Sequence, residues 1–267
     1  MKKIILILFL LINITFANDT FKESAIKGYF EAEGYSAPGQ NKFAARISAK
    51  VDAQRRLLEI IKGAKVTSET TIVNGTLSSD IMISQVKGLV QGARVVHQEY
   101  DRSSGTAMIR LAIGYKTVMK EVFKNKEFQK VFYEKEKSSA PEFKIQKITA
   151  EVKKVTYDAL IVDARATDME PAYINRIFTN NKIVYDPTKV PQKIIVERGL
   201  AAYTNDINKA KAILETYNVH KPLIVKALKT KELKSDILIS IEEAKEVVSS
   251  NMQSGFLESA KIVFVLQ

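Results

Sequence analysis

The segment Gly28–Thr71 constrains the fold most, because it has the pattern of a strand, a long helix and a second strand in immediate succession. A short strand-like run leads into a turn at residues 37–39, and a helical pattern then continues to Gly63. A second strand-like run, Lys65–Val73, follows at once. The segment therefore predicts one β-α-β unit, in which the helix packs on a sheet.

The helical stretch is amphipathic. At about 100° per residue, its larger apolar side chains fall on one stripe. These residues are Phe43, Ile47, Val51, Leu57, Leu58 and Ile61. We expect this stripe to face the core and the arginines to face solvent, with Asn41 as the N-cap and Gly63 as a left-handed residue after the last turn. The alanines favour helix and let a sheet approach closely.

Residues 1–17 have the pattern of an export signal. Lys2 and Lys3 precede the apolar run Ile4–Ile14, and small residues end the segment at Ala17. A membrane anchor is the alternative, but the run is shorter than the roughly 20 residues that span a bilayer comfortably. We expect cleavage after Ala17, a periplasmic chain that begins at Asn18, and no transmembrane segment after cleavage.

Composition narrows the classes of partner. The chain has no cysteine, which excludes disulfides and a lipid-modified cysteine, and its two histidines argue against a transition-metal site. Removal of Lys2 and Lys3 lowers the formal charge from +11 to +9. In an exported protein this excess indicates either an anionic envelope surface as a partner or a solvated lysine-rich exterior. The aromatic residues are scattered, so a nucleic-acid surface is not predicted.

The pattern divides the mature chain into three parts. In residues 18–115 a hairpin, Ala93–Tyr100 with Thr106–Tyr115, completes a small antiparallel sheet packed by the long helix. Residues 116–156 form a charged connecting helix and linker, whose apolar face could dock on its own domain or on another subunit. Residues 157–267 form a second small α+β domain. The predicted fold class is therefore α+β.

Local signals define the elements of the second domain. Strands are predicted at residues 159–164, 223–228 and 261–266, and a hairpin is predicted around Asn180 and Asn181. Asp206 has the pattern of a helix N-cap, and Ser240 with Glu243 has that of a capping box. In the first domain, Ser79–Lys87 is compatible with a helix or a strand.

The chain carries no signature of catalysis. No GxSxG, HExxH, P-loop or GxGxxG motif occurs, and His97 and His220 lie far apart in the sequence. We predict no catalytic, cofactor-binding or metal-binding residues. The weak candidate cluster is Asp163, Arg165 and Glu170, with Asp168 between them, because acid-base groups often follow a strand in α/β enzymes. The alternative is that Asp163 and Arg165 satisfy turn hydrogen bonds or pair with each other.

Residues 28–115 also resemble a known family. The order EAEG, then AAR-x-x-AKVDAQRRLLE-x-I-x-G, then KVTSET and a hairpin resembles the LPP-twenty-type envelope lipoproteins and the related N-terminal domain of the flagellar assembly proteins FlgT and FlgP. The matching positions are packing positions: Ala32, Gly34, Ala45, Arg46, Ala49, Asp52, Ala53, Gly63, Val66 and Ser68. The resemblance implies an exported, non-enzymatic envelope protein, in some relatives part of a disk or ring around the flagellar motor. The lipidated cysteine of the lipoprotein members is missing.

The sequence is compatible with two functions of different classes. The first is assembly or scaffolding of a flagellar or other envelope structure, by binding envelope proteins or further copies, in the periplasm or in association with the outer membrane. The second is a periplasmic enzyme or small-ligand-binding protein that uses the second domain. The second function requires Asp163, Arg165 and Glu170 to converge on a concave pocket.

Overall fold

The computed structural model describes residues 21–69, 71–72, 80–135, 137–145 and 157–267. The expected signal peptide, residues 1–17, lies outside this part of the chain. The chain forms two compact units, and the break falls between Val122 and Phe123, except that Lys65–Thr70 joins the second unit. The predicted α+β class is confirmed, with a small antiparallel sheet packed by a long helix and a second α+β unit.

Unit 1 is built around a three-stranded antiparallel sheet in the order β1-β3-β2. Its elements are β1 (Tyr29–Tyr35), α1 (Lys42–Lys62), α2 (Asp80–Gln91), β2 (Arg94–Asp101), β3 (Thr106–Gly114) and α3 (Tyr115–Val122). Residues 21–27 are helical as well. The predicted hairpin of β2 and β3 is confirmed, and the ambiguous segment after residue 79 is a helix. Phe30 and Leu111, which face α1 from β1 and β3, are fully buried.

Helix α1 packs on the sheet through its alanines, and the sequence-based assignment of its buried face was wrong. Ala45, Ala49 and Ala53 are completely buried. The fit is close because Gly34 of β1 lies against the helix: a Cβ there would come within 2.2 Å of the Ala49 carbonyl oxygen. Larger side chains could not allow this approach, so the helix turns its small residues inward.

The predicted stripe is consequently split. Leu57 and Ile61 are buried and Leu58 is partly buried. Phe43, Ile47 and Val51, at the N-terminal end of the stripe, are instead exposed. The N-cap is confirmed, since Asn41 Oδ1 accepts the backbone N–H groups of Phe43 and Ala44 at 3.1 and 3.0 Å. Apolar periodicity thus identified the helix but not the part of it that touches the sheet.

The second strand of the predicted β-α-β unit is absent from the described residues. Residues 66–69 form bends that follow an isolated bridge at Lys65, and Lys65–Thr70 belongs to unit 2. The backbone is satisfied there instead, because the carbonyls of Lys65 and Val66 accept the N–H groups of Tyr173 and Ile174. Gly63 was also predicted wrongly as left-handed, since its φ of −77° is right-handed helical.

The charged stretch predicted as a connecting helix, which begins at residue 116, is divided into short pieces in place of one helix. Helix α3 ends at Val122, α4 spans Lys126–Lys130, and a π-helical turn spans Val131–Lys135. Asn125 caps α4, and its Oδ1 accepts two backbone N–H groups. The apolar residues are buried: Phe123, Phe128 and Phe132 form a cluster in unit 2, with Phe123 edge-on to the other two rings. Residues 146–156 of the expected linker lie outside the described residues.

Unit 2 contains a four-stranded parallel sheet in the order β7-β11-β4-β8. These strands are β4 (Ala159–Asp163), β7 (Ala202–Thr204), β8 (Pro222–Lys226) and β11 (Ile262–Val265). Helix α6 (Ile207–Glu215), which Asp206 caps as predicted, covers one face. Its Ala210 and Leu214 pack with Ile161 and Val263 in a fully buried core.

A second four-stranded sheet, of mixed direction, has the order β6-β5-β10-β9. The remaining elements of unit 2 are β5 (Ile177–Thr179), β6 (Lys182–Tyr185), a 3₁₀ turn (Pro187–Lys189), α5 (Gln192–Arg198), β9 (Lys229–Thr230), β10 (Ile237–Leu238) and α7 (Ile241–Ser254). The predicted hairpin at Asn180 and the capping box of Ser240 and Glu243 are both confirmed.

One ion pair is buried beside the mixed sheet. Arg176 Nη1 lies 3.5 Å from Asp236 Oδ2, and the Arg176 N–H donates to Asp236 Oδ1 at 3.1 Å. Both residues are buried. Burial raises the pKa of the Asp236 carboxyl, and the charge of Arg176 opposes this shift. The pair joins the start of β5 to the residue just before β10.

Candidate functional site

The candidate acidic cluster of unit 2 is only partly brought together. Asp163 ends β4, and Arg165 donates to it from Nε and Nη2 at 2.8 and 2.7 Å. These hydrogen bonds lower the pKa of the Asp163 carboxyl below its usual value. Glu170 is bound elsewhere, to Lys65 Nζ at 2.6 Å, and Asp168 binds Thr230 and Lys234.

This geometry corresponds to the alternative in which Asp163 and Arg165 pair with each other. A general base needs a pKa near the working pH, and a doubly bound carboxylate with a lowered pKa is a weak base. Glu170 is held by a partner from another part of the unit, so it does not complete a catalytic constellation with Asp163. Two grooves in the described part of the chain are both lined by other side chains.

The two histidines have different surroundings. His97 Nε2 lies 2.6 Å from Glu99 Oε1 on an exposed strand, whereas at His220 the backbone N–H donates to Asp158. Within the described residues, no three His, Cys, Asp or Glu side chains are grouped so that they could hold a metal ion.

The family-motif positions have packing roles in the structure. Ala32 and Gly34 of β1 face the alanines of α1. Asp52 Oδ2 accepts the Tyr35 N–H at 3.1 Å and Arg56 Nε at 2.9 Å, which ties the helix to the end of β1. The other positions are distributed between the units: Ala45, Arg46, Ala49, Ala53 and Gly63 in unit 1, and Val66 and Ser68 in unit 2. The Ser68 N–H donates to Ser235 Oγ at 3.2 Å.

Strand β2 is an exposed edge strand, a feature that alternation of apolar residues did not reveal. It pairs with β3 on one side only, and seven of its eight residues are exposed, Tyr100 being the partly covered one. The exposed residues include Val95 and Val96, at 41 and 39%. Among the described residues, no backbone group from outside the sheet bonds to this strand. An edge of this kind offers N–H and C=O groups to another chain.

A groove of about 960 Å³ lies beside β2 in unit 1. Its walls include Tyr29, Arg94, His97 and Arg110 from the strands, together with the C-terminal end of α2. Its charged side chains are largely paired, since Arg110 binds Glu33 and Glu31 binds Lys27. The lining therefore indicates no particular class of ligand.

In architecture, the chain is an α+β protein of two compact units. Residues 159–267, from β4 to β11, match the family model described as the second domain of Treponema pallidum Tp0624. No curated protein matches the chain. Within the described residues, no helix is long and apolar enough to cross a membrane.

Proposed function

We propose that the chain is an exported, non-enzymatic envelope protein that assembles by pairing β2 of one copy with β2 of another. The observation that carries the proposal is the exposed edge. Eight consecutive residues extend the sheet with one side of their backbone open. This length is typical of a complete strand. A second strand would satisfy the open N–H and C=O groups, which is how edge strands recruit partners.

The charges of β2 favour an antiparallel pair of copies. The strand begins with Arg94 and ends with Glu99 and Asp101, all three on the same face by their register with β3. In an antiparallel pair, Arg94 of each copy lies near the carboxylates of the other copy, so opposite charges face each other. In a parallel pair, each charged residue would face the same residue of the other copy, and like charges would repel. The bulge at Val96 adds twist, which limits indiscriminate edge pairing. Pairing would therefore be selective for a copy in this orientation.

The compartment and role in the proposal rest on the sequence. The export signal supports the periplasm, and the resemblance of residues 28–115 to the LPP-twenty and FlgT/FlgP families supports assembly of a flagellar or other envelope structure, with outer-membrane association. Burial of the motif alanines against β1 is consistent with a packing motif, because such positions build a fold and perform no chemistry. Envelope proteins and further copies of the chain are the proposed partners.

Sedimentation velocity of the chain from Asn18, over a range of concentrations, tests this proposal. We expect reversible self-association that the single variants R94E and E99R each weaken roughly 10-fold or more, because two repulsive pairs replace two attractive ones. The double variant R94E/E99R exchanges the charges and should restore association. A monomer at every concentration, or a double variant as weak as the single ones, would count against pairing through β2.

A further inference from the structure

Three large apolar side chains lie exposed on the outer face of α1. Phe43 is 77% exposed, Ile47 49% and Val51 59%. They are spaced by four residues along the first turns of the helix, so they form one stripe on the side opposite the buried alanines. Phe43 alone presents on the order of 150 Å². The stripe is therefore an apolar surface that folding of the chain leaves uncovered.

Basic residues occupy the same turns of α1 as this stripe, and Lys50 lies at its edge. Residues 42–51 contain Lys42, Arg46 and Lys50 and no acidic residue. None of the three has an ion-pair partner among the described residues. The two acids farther along α1, Asp52 and Glu59, are bound by basic residues of the helix itself. The uncompensated positive charge thus coincides with the exposed apolar residues.

Helix stability does not explain this choice of residues. The first turn of a helix favours acidic side chains, because they offset the positive end of its dipole, yet α1 has none there and begins with Lys42. Ile47 and Val51 are also weaker helix formers than the residues usual on an exposed face. Residues that are unfavourable for the local structure are often retained because they make functional contacts, so this part of α1 is a candidate for such a contact.

A second copy of α1 fits this surface poorly. If two copies packed stripe against stripe, the positive charges of the two segments would be brought near one another, with no acid in either segment to neutralise them. An anionic bilayer surface satisfies both features, since the apolar side chains enter the interface while the basic ones remain at the headgroups. We propose that residues 42–51 of α1 dock the protein on an anionic phospholipid membrane surface.

Vesicle flotation tests the proposal. The chain from Asn18 is mixed with vesicles of phosphatidylcholine and phosphatidylglycerol, which carry a negative surface potential, or with vesicles of phosphatidylcholine alone. We expect binding to the anionic vesicles only. The variant K42Q/R46Q/K50Q should bind on the order of 100-fold more weakly, and F43S/I47S/V51S at least about 10-fold more weakly. High salt should release the protein.

Matched variants keep the test specific. K209Q/K211Q/K245Q removes the same number of exposed charges from unit 2, and L228S/M252S removes exposed apolar side chains there, so both should bind as the parent does. Arg46 is partly buried and the other substituted residues are exposed, so far-UV circular dichroism checks that each variant is folded. Equal binding to neutral vesicles, or equal loss in the unit 2 variants, would overturn the proposal. So would stripe variants that abolish self-association without lipid while vesicle binding persists.

Discussion

The contact between Gly34 and α1 leads to a quantitative prediction. In the variant G34A, the new Cβ would lie 2.1 Å from the Ala53 nitrogen and 2.2 Å from the Ala49 carbonyl oxygen. Both atoms are backbone, so no side-chain rotation can make room. The helix must retreat from β1 by on the order of 1 Å before ordinary packing distances return.

The loss of stability in G34A can be estimated from the contacts between α1 and the sheet that this retreat weakens. A radial gap of about 1 Å forfeits up to about half of the dispersion energy of the contacts it opens. The alanines and the buried Leu57 and Ile61 all pack on this side of the helix. Overpacking typically costs about 1–3 kcal/mol, and contact with rigid backbone on both sides argues for the upper end, about 3 kcal/mol. For a unit of this size, that corresponds to a fall in Tm of roughly 12–24 °C.

Amide hydrogen exchange of α1, read together with urea unfolding, measures this loss in unit 1 separately from unit 2. The variant G88A is the matched control. Gly88 lies in α2 with no atom within 4 Å of a new Cβ, so the same substitution should stabilise by about 0.5–1 kcal/mol through helix propensity. If G34A lowered the free energy of unfolding by less than about 1 kcal/mol, the close backbone approach of α1 would be refuted.

Two further predictions concern charged groups. The variant D236A should lower the free energy of unfolding of unit 2 by about 3–5 kcal/mol in denaturant titration, because it removes the carboxylate that neutralises the buried Arg176 guanidinium. R176M/D236A should recover part of this loss, and an unchanged stability of D236A would contradict the pairing. The Asp101 carboxyl accepts hydrogen bonds from the hydroxyl groups of Ser103 and Ser104, and these bonds lower its pKa to about 2. The contribution of Asp101 to hairpin stability should therefore be fully present above about pH 4 and be lost as the pH falls toward 2. An NMR titration of the Asp101 carboxyl with a midpoint near 4 would contradict the lowered pKa.

Local signals in the sequence predicted those parts of the fold that depend on neighbouring residues. Asn41, Asp206 and the pair Ser240–Glu243 cap helices because each side chain reaches backbone N–H groups two or three residues away. The hairpins were predicted for the same reason, because the residues of a short turn determine how the two strands beside it pair. The family-motif alanines were also expected to allow close approach of a sheet.

Features that depend on distant residues could not be predicted in this way. The buried face of α1 is decided by Gly34, and periodicity weighs large apolar residues above the alanines that fit against a glycine. Glu170 is bound by Lys65, which is 105 residues away in the chain. No local pattern encodes that distance, so the candidate cluster was extended to a residue that belongs to another ion pair.

The proposed pairing of β2 can be tested by disulfide cross-linking, because the chain has no cysteine of its own. Directly opposite residues in an antiparallel pair have Cα atoms about 4.5–5.5 Å apart, which is within the range that a disulfide bridges. We predict that R94C, E99C and D101C remain monomeric when each is oxidised alone, and that R94C mixed with E99C or D101C forms a covalent dimer. Cross-linking of each variant with itself, or none in the mixtures, would contradict the antiparallel pairing of two copies through β2.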